Sequence, residues 1–505
     1  MSMSSEAYAD LLNLGRELAL LNSIESLVGW DERVMLPPLG GDFRADQFTF
    51  LAGQIHQRWT SPRLGELLNQ LAESDLAADP HSDTGTTIRQ MKRRYEKKTK
   101  LPQKLVEEQA RLSVLGQQAW QQARKHDHFP TFQPLLERIV DLKREESAAL
   151  GYAECPYDAL LDDFEPGELT SNVTRVLAGL RAELVPLVAA IAETGKQADL
   201  SILSRSFPVA AQRTFSLLAA ERIGFDFQRG RLDETAHPFC SGLGPNDCRL
   251  TTRYSEHHFN EAFFGTLHEA GHGLYDQGLP GEHYGMPLGD AVSLGIHESQ
   301  SRMWENFVGR SRAFWEHFYP SLQRTFPGVV DDVSLDDFYF AVNDVRPSLI
   351  RIEADEATYN LHILIRFELE QAMINDGLRV ADLPGAWRDK YQSYLGIVPP
   401  SDADGVLQDI HWSGGAIGYF STYSLGNLYA AQFFEQATTD LGDLHAQFAR
   451  GEFQPLLDWL RKQIHRQGQR YTAAELAQRI TGKPLSHEPL MRHLRNKMNP
   501  LYNLD

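Results

Sequence analysis

The segment FFGTLHEAGHGL occupies residues 263–274, close to the middle of the 505-residue chain. Its apolar side chains, Phe263, Phe264, Leu267 and Leu274, are typical of a buried helix. Helical periodicity also dominates the sequence on both sides of this segment, without internal repeats or low-complexity linkers. The sequence therefore predicts a mainly α fold.

One short part of the chain departs from the helical pattern. About residues 225–255 combine Gly, Pro, Asn and Thr with short alternating pieces, which predicts a small strand-and-loop insert. Helical sequence precedes this insert over about residues 1–224 and follows it over about 256–505. In the first helical part, a long charged stretch is expected to break near Pro102. We expect one domain over residues 1–505, with one small central β-sheet.

Composition and charge exclude several classes of protein. Hydrophobic residues make up 42% of the chain and charged residues 23%, which is typical of a folded globular protein. The 49 basic and 68 acidic residues give a net charge of −19, so nucleic acids and anionic membranes are not expected as partners. No uncharged apolar run reaches the roughly 18 residues that a membrane span needs.

The cysteines and the N-terminus indicate the compartment. Cys155, Cys240 and Cys248 are too few for a disulfide framework and suit a reducing environment. The N-terminal residues lack the basic and apolar regions of a secretion signal. We therefore expect the protein in the cytoplasm.

Histidines are concentrated around the central segment. Six of the 18 histidines lie in residues 257–297. Within HEAGH, His268 and His272 are four residues apart, so on a helix they lie on the same face and can share one metal ion. Glu269 is offset by one residue and can reach a water on that ion. The pattern predicts a metal site, although two structural histidines on a helix would show the same spacing.

A third protein ligand is expected, since zinc hydrolases of the HExxH type keep three ligands and one open position. Position 278 is Gly278, which excludes the metzincin pattern with its third histidine. Glu298, on a helix after a loop rich in Gly and Pro, is the expected third ligand, and the adjacent His297 is the alternative. Gly271 and Gly273 are expected to leave room near the ion.

Six short motifs follow one another along the chain. They are HPF at His237–Phe239, DCRLT at Asp247–Thr251, HEAGH at His268–His272, HESQ at His297–Gln300, IRIEAD at Ile350–Asp355 and GVLQDIHW at Gly405–Trp412. With this ordered set the chain resembles the carboxypeptidase Taq family of metallocarboxypeptidases. WDERVMLP from Trp30 and YFSTYSLGNLYAAQ from Tyr419 extend the resemblance over essentially the whole chain.

The resemblance implies both a fold and an activity. The implied fold is a helical single body with a deep groove, related to the neurolysin-like and angiotensin-converting-enzyme-like peptidases. The implied activity is the metal-dependent removal of single C-terminal residues, with broad specificity, from peptides with a free C-terminus. One divalent metal ion per chain is implied, Zn²⁺ in the first place and Co²⁺ as the alternative. A homodimer is also implied.

A carboxypeptidase needs a cation that holds the terminal carboxylate of its substrate. Arginine suits this task, because its planar fork can donate two hydrogen bonds to one carboxylate. Two arginines lie in the family motifs, Arg351 and Arg249, and we expect at least one of them to bind the carboxylate, with Arg351 ahead. Alternatively, Arg351 pairs with Asp355, four residues later on one helix, and Arg249 serves loop packing.

The remaining family motifs offer further candidates for substrate binding. His237 precedes a proline, which biases it towards an extended conformation in which it could bind the substrate backbone, or it is a structural histidine. Gln408 and Asp409 are expected to line the groove, whereas Trp412 is expected in the core.

Peptide hydrolysis also needs a proton acceptor and a donor to the developing oxyanion. Glu269 is the expected general base, which takes a proton from water and delivers it to the leaving amine. Tyr423, His411 and Tyr419 are candidates for the donor, with Tyr423 preferred.

Two alternatives to the carboxypeptidase stay open at this point. One is a metallo-oligopeptidase or dipeptidase with the same metal site, which would cut peptides elsewhere. The other is a helical scaffold without enzymatic activity, in which HExxH occurs by chance.

Overall fold

The computed structural model describes residues 3–504, and α-helices dominate this part of the chain. The helices are α1 Met3–Val34, α2 Gly41–Trp59, α3 Pro62–Ala72, α4 Asp83–Lys100, α5 Gln103–Lys125, α6 Gln133–Leu150, α7 Pro156–Leu161, α8 Thr170–Glu193, α9 Val209–Arg222, α10 Phe259–Gly278, α11 Leu294–Arg302, α12 Arg312–Thr325, α13 Leu335–Val342, α14 Thr358–Ile374, α15 Leu383–Leu395, α16 Ser421–Leu441, α17 Leu444–Ala449, α18 Gln454–Gln463, α19 Ala473–Thr481 and α20 Glu488–Tyr502. No helix within residues 3–504 is both long and apolar enough to cross a membrane.

Proline divides the long charged stretch as the sequence predicts. Helix α4 ends at Lys100, and α5 begins at Gln103 with Pro102 as its N-cap in an extended conformation. The ring of Pro102 fixes its φ and removes a backbone donor, so the first helix cannot continue through it.

Three strands lie within residues 225–255, where the strand-and-loop insert was expected. They are β1 Gly230–Glu234, β2 Cys240–Gly244 and β3 Asp247–Thr252. The sheet order is β1-β3-β2, with β3 parallel to β1 and antiparallel to β2. The mainly α fold class with one small sheet is confirmed, while the implied groove stays a prediction.

Helix α10 is packed closely on two sides at its glycines. A Cβ on Gly271 would lie 2.5 Å from the Cα of Ser301 in α11. A Cβ on Gly273 would lie 2.8 Å from the side chain of Leu250 in β3. The expectation that these glycines leave room near an ion is therefore wrong: they allow a helix and a strand to approach α10.

Two compact units divide the described residues. Unit 1 comprises residues 3–99, 199–342 and 433–482, and unit 2 comprises residues 100–198, 343–432 and 483–504. The sheet, α10 and α11 belong to unit 1, and α14 belongs to unit 2. The expected single domain over the whole chain stays a prediction.

Candidate active site

The HEAGH histidines and Glu298 converge in unit 1. Helix α10 carries His268 and His272 on one face, and α11 begins after Ser293, whose hydroxyl caps it by accepting a hydrogen bond from the Ile296 N–H. Glu298 Oε2 lies 3.7 Å from His268 Nε2 and 3.4 Å from His272 Nε2. Two imidazoles and one carboxylate therefore point towards one another.

The spacing of these atoms fits a metal ion. Ligands about 2.0–2.1 Å from a tetrahedral Zn²⁺ are about 3.3 Å apart. The ligand atoms of His268, His272 and Glu298 all lie within 4.8 Å of one another, with little adjustment needed for the two short distances to Glu298. The donor set of two nitrogens and one oxygen is the one that Zn²⁺ and related divalent cations accept.

Glu305 binds His268 through the ring nitrogen that is not directed to Glu298. Its Oε2 atom lies 2.9 Å from His268 Nδ1. This hydrogen bond places the proton on Nδ1 and leaves the Nε2 lone pair for a metal. Arg302 links the two carboxylates, since its Nε donates to Glu298 Oε1 at 2.7 Å and its Nη1 to Glu305 Oε2 at 3.2 Å.

A π-helix brings Glu305 to this position. After α11 the chain continues as a π-helix over Met303–Gly309, and the Arg310 N–H donates to the Glu305 carbonyl five residues earlier. The wider turn changes the angular position of each side chain compared with an α-helix. Such π segments are frequent at functional sites.

A chain of two hydrogen bonds through His297 holds His272. His272 Nδ1 lies 2.5 Å from His297 Nδ1, and His297 Nε2 lies 3.0 Å from Asp276 Oδ1. If His297 Nε2 donates to Asp276, then His297 Nδ1 accepts from His272, which leaves His272 Nε2 for a metal. Because both ring nitrogens of His297 are engaged, the geometry favours Glu298 over His297 as the third ligand.

Burial changes the protonation of the site. Burial raises the pKa of Glu269 to about 7, against an opposing effect of His268. Burial also lowers the pKa of His272 to about 4, so this ring is neutral near pH 7. Burial disfavours ionised Glu298, but Arg302 and His268 outweigh it and keep the pKa of Glu298 below its usual value. The arrangement combines an ionised carboxylate, a neutral imidazole and a carboxyl that exchanges its proton near neutrality.

Arg351, in unit 2, is held by a carboxylate far from it in the sequence. Its Nε and Nη2 atoms donate to Asp409 Oδ1 at 3.0 and 2.7 Å, and its Nη1 donates to Tyr359 Oη at 3.1 Å. Arg366 Nε binds the other oxygen of Asp409 at 2.7 Å. Asp409 is therefore shared between two buried guanidinium groups, which keep its pKa below the usual value although burial raises it.

The expected helical pair of Arg351 and Asp355 is wrong. Arg351 lies in a short 3₁₀ turn, Arg351–Glu353, and Asp355 lies before α14. Asp355 Oδ1 accepts from the N–H of Ala357 and of Thr358, and thereby caps the start of that helix. Side-chain capping competes with helix formation at such positions, so the helix starts after Asp355 and not before it.

Gln408 has all its polar atoms engaged inside the protein. Its Oε1 accepts from the Arg351 N–H at 2.9 Å, and its Nε2 is 3.1 Å from Tyr391 Oη and 3.0 Å from the Asp404 carbonyl. Trp412 is buried, as expected, and its Nε1 donates to Glu370. Gln408 therefore positions the chain around Arg351.

His411 and Tyr423 lie in the same part of unit 2. The His411 ring stacks on Tyr419 with centroids 5.4 Å apart, and Tyr423 Oη donates to Tyr419 Oη at 3.4 Å. Burial lowers the pKa of His411 to about 4 and raises the pKa of Tyr423 well above its usual value. Near neutral pH, Tyr423 keeps its hydroxyl proton and His411 is neutral, so each has an uncharged donor group. The Arg351 guanidinium lies 5.2 Å from the Tyr423 ring.

The other two substrate-binding candidates lie in unit 1. Arg249 donates twice to Asp247, at 2.9 Å each, and stacks on Trp30 at 4.4 Å. These contacts give Arg249 a packing role in the sheet region. His237 lies exposed in the loop between β1 and β2.

Sequence reasoning missed the residues that support the two histidines of HEAGH. Glu305, Arg302 and Asp276 are charged residues on helical segments, and alone each reads as a solvated surface residue. The spacing of Glu298, Arg302 and Glu305 is the one available signal, because residues three and four apart lie on the same side of a helix. The contacts of Glu305 and Asp276 depend on packing.

Residues 10–498 of the chain match the family described as Carboxypeptidase Taq (M32) metallopeptidase. The chain belongs to this family. It is 49% identical to thermostable carboxypeptidase 1 of Thermus thermophilus, over 98% of this chain and 99% of that protein. It is 40% identical to carboxypeptidase 1 of Bacillus subtilis, over 98% of each.

Solved structures of carboxypeptidases agree with the fold. The M32 carboxypeptidase of Deinococcus radiodurans R1 superposes with a TM-score of 0.95 at 40% identity, over 99% of this chain and 100% of that one. Metallocarboxypeptidase 1 of Trypanosoma cruzi superposes with a TM-score of 0.93 at 32% identity, over 97% and 99%. The predicted family is confirmed, and the protein is a metal-dependent carboxypeptidase.

Proposed function

We propose that the protein removes single C-terminal residues from peptides, with broad specificity, and that His268, His272 and Glu298 hold its metal ion. The observation that carries this proposal is the convergence of two imidazole Nε2 atoms on Glu298 Oε2 beside the buried Glu269. The binding of Nδ1 of each histidine to another residue supports it, since this leaves both Nε2 atoms for the metal.

Zn²⁺ is the metal we propose, with Co²⁺ as the alternative. Two neutral imidazoles and one carboxylate suit both ions, and selectivity between them follows metal supply as much as affinity. When bound, such a cation would polarise the scissile carbonyl and lower the pKa of a water molecule bound to it.

Glu269 is the proposed general base. Its carboxylate takes a proton from the attacking water and passes it to the nitrogen of the leaving amino acid. A raised pKa helps both steps, because the group must accept and return a proton near neutral pH. A cation nearby lowers this pKa and so increases the ionised, proton-accepting fraction.

Arg351 is the proposed anchor for the terminal carboxylate of the substrate, with Arg249 as the alternative. Arg351 is buried and preorganised by Asp409, and the aromatic ring of Tyr423 lies beside it. Tyr423 is the proposed donor to the developing oxyanion, with His411 as the alternative. The roles of Gln408 and Asp409 are then to hold Arg351, and His237 remains a candidate for binding the substrate backbone.

The remaining proposals concern the surroundings of the enzyme. We place it in the cytoplasm, which the three free thiols of Cys155, Cys240 and Cys248 support. We also propose a homodimer, on the strength of the family resemblance.

Metal analysis together with a peptide digest tests the proposed activity. The purified protein is incubated with an N-terminally blocked peptide that has a free C-terminus, with and without chelator, and product masses are followed over time. We expect stepwise loss of single C-terminal residues, abolished by chelator and restored by Zn²⁺ or Co²⁺. Internal fragments would instead indicate an oligopeptidase, and a protein that binds no added metal would contradict the ligand assignment.

The affinity for peptides with and without a free C-terminal carboxylate distinguishes the roles of Arg351 and Arg249. R351A and R249A are compared with wild type for the KM of a free-carboxylate peptide and for inhibition by its C-terminally amidated form. We expect R351A to raise KM strongly and to leave inhibition by the amide nearly unchanged, because only the carboxylate accepts the charged fork. R351K keeps the charge without the fork and should be intermediate. An equal loss for both ligands in R351A would contradict the anchor.

A further inference from the structure

A second cluster of ligating side chains lies where the sheet packs on α10. Cys240 of β2 and Cys248 of β3 have Sγ atoms 3.6 Å apart, and Asp276 Oδ2 of α10 lies 3.8 Å from Cys240 Sγ. One ligand atom from each residue lies within 4.8 Å of the others. Two thiols and one carboxylate from three different elements thus meet at one point.

The spacing of this cluster fits a tetrahedral cation. With Zn–S bonds of about 2.3 Å and Zn–O bonds of about 2.0–2.2 Å, two sulfurs are about 3.8 Å apart and a sulfur and an oxygen about 3.5 Å apart. The observed 3.6 Å between Cys240 and Cys248 and 3.8 Å between Cys240 and Asp276 match these separations within a few tenths of an ångström.

The carboxylate of Asp276 is directed to the thiols. Within residues 3–504 its one ion-pair partner is His297, which binds Oδ1 and leaves Oδ2 facing Cys240. A Cβ on Gly242 would lie 2.8 Å from Asp276 Oδ2, so glycine at this strand position makes room for the carboxylate. Asp276 therefore supplies a negative charge to the thiol pair, and no arginine or lysine within residues 3–504 forms an ion pair with it.

A cavity connects the cluster to its surroundings. Cys248 and Asp276 line a cavity of about 460 Å³ within unit 1. Its other charged side chains are paired: Asp247 with Arg249, Asp290 with Arg94, and Arg229 with Asp226. Among the described residues, Asp276 is the acidic group of this cavity that pairs with a histidine and not with an arginine, and the cavity provides an entry path and space for a water as fourth ligand.

We propose that Cys240, Cys248 and Asp276 bind a second divalent cation of the thiophilic type, with Zn²⁺ preferred. Binding replaces the two thiol protons, which are released to solvent, so two thiolates and one carboxylate surround M²⁺. Thiolate ligands select Zn²⁺ or Cd²⁺ over Mg²⁺ and Ca²⁺. The cation uses Asp276 Oδ2 and leaves Oδ1 bound to His297, so this site and the site of His268, His272 and Glu298 can be filled together.

Cadmium titration tests the site, because Cd²⁺–thiolate bonds produce a near-ultraviolet charge-transfer band that nitrogen and oxygen ligands do not. Metal-free protein is reduced with a phosphine, three free thiols are verified by mass, and Cd²⁺ is added. We expect the band in wild type to saturate with one equivalent of thiolate-bound Cd²⁺ per chain. C240S and C248S should each lose most of the band. C155S is the matched control and should keep it.

In the cadmium titration, two results would overturn the proposal. One is a reduced wild-type protein without the band, and the other is a band of unchanged size in the double variant C240S/C248S. A second experiment needs only the wild-type protein, so it does not depend on whether the variants fold. The rate at which each cysteine is labelled is measured by mass spectrometry of peptides, with and without Zn²⁺. Zn²⁺ should slow labelling of Cys240 and Cys248 but not of Cys155. Equal rates with and without Zn²⁺ would contradict the site.

Discussion

At the scale of single residues, burial changes the proton affinity of Glu269. The residue is 7% exposed, and burial raises the pKa of its carboxyl from 4.5 to about 7. Its sequence neighbour His268 turns its Nε2 towards Glu298 instead. One residue of offset on a helix thus separates the proposed metal ligand from the proposed proton acceptor.

Replacing the proposed base tests this division of roles. E269Q keeps the size of the side chain but cannot accept a proton, so kcat should fall by about 100- to 10,000-fold while bound metal stays the same. E282Q, at an exposed glutamate of the same unit, is the control and should behave as wild type. Metal content and peptide hydrolysis are measured on the same preparations. Near wild-type turnover in E269Q would show that another group accepts the proton.

Glu305 is expected to act on the proposed metal ion through His268. The charged hydrogen bond from His268 Nδ1 orients the ring and makes Nε2 a better ligand. E305Q should therefore weaken metal binding by about 10- to 100-fold, as measured by competition with a chelator. E316Q removes an exposed carboxylate from α12 and should leave the affinity unchanged. Equal affinities in the two variants would mean that the bond to Glu305 does not support the ligand.

At the scale of elements, the site depends on how closely α11 approaches α10. Gly271 makes this approach possible, because a Cβ there would meet the backbone of α11 at Ser301 Cα and, at 2.6 Å, at the Gln300 carbonyl oxygen. Backbone atoms cannot move aside as a flexible side chain can. Since α11 also carries Glu298, the helix spacing and the proposed metal site are linked.

Replacing either of two glycines of α10 by alanine distinguishes the effect of close packing on stability from the effect of helix propensity. G271A should lower the free energy of unfolding by about 1–3 kcal/mol through overpacking, and should also weaken metal binding by displacing α11. G265A is the control: its Cβ would meet only Thr252 Oγ1, at 3.8 Å, and alanine favours the helix by about 0.5–1 kcal/mol. Unfolding curves and metal content measure both effects. A G271A protein as stable as G265A would contradict the close approach.

At the scale of the whole molecule, stability depends on pH through a carboxyl group buried in unit 2. Glu370 of α14, in unit 2, accepts hydrogen bonds from Tyr157 Oη at 2.6 Å, Trp412 Nε1 at 2.7 Å and the Gly418 N–H at 3.1 Å. Burial outweighs these bonds and raises the pKa of Glu370 from 4.5 to about 7. The folded protein therefore binds a proton at pH values at which the unfolded chain has lost it.

This difference predicts a fall in stability as the pH rises. Glu370 contributes fully below pH 4.5, and its contribution is lost between pH 4.5 and about 7, which amounts to about 3 kcal/mol. In E370Q, whatever its absolute stability, the unfolding free energy should fall by about 3 kcal/mol less than in wild type over this range. Denaturant unfolding at several pH values measures it. E353Q, at an exposed glutamate, should keep the wild-type slope.

Local sequence patterns predicted most of the fold and the central residues of the candidate site. The break at Pro102, the strand insert and the buried helix around HEAGH all follow from residue spacing and backbone preference, which act over a few residues. The pairing of His268 with His272 also follows, because positions four apart meet on any α-helix. The ordered motifs then identified the family, which the full-length match confirms.

Other features depend on packing between distant parts of the chain. Arg351 pairs with Asp409, 58 positions away, and not with Asp355, because the chain forms a 3₁₀ turn and a helix cap where one helix was expected. Likewise the π-helix turns Glu305 towards His268, 37 positions earlier.

Residue spacing alone predicted the helices, the shared face of His268 and His272 and a metal site on that face, since these depend on neighbours in the chain. Only the tertiary structure decided which residues lie behind the proposed ligands. In the folded chain, α11 packs on α10 at Gly271 and β3 packs on it at Gly273. Asp276 lies between His297 and the thiol of Cys240. The physical reason is that contacts between residues far apart in sequence exist only once helices and strands have packed, and packing depends on the whole set of side chains.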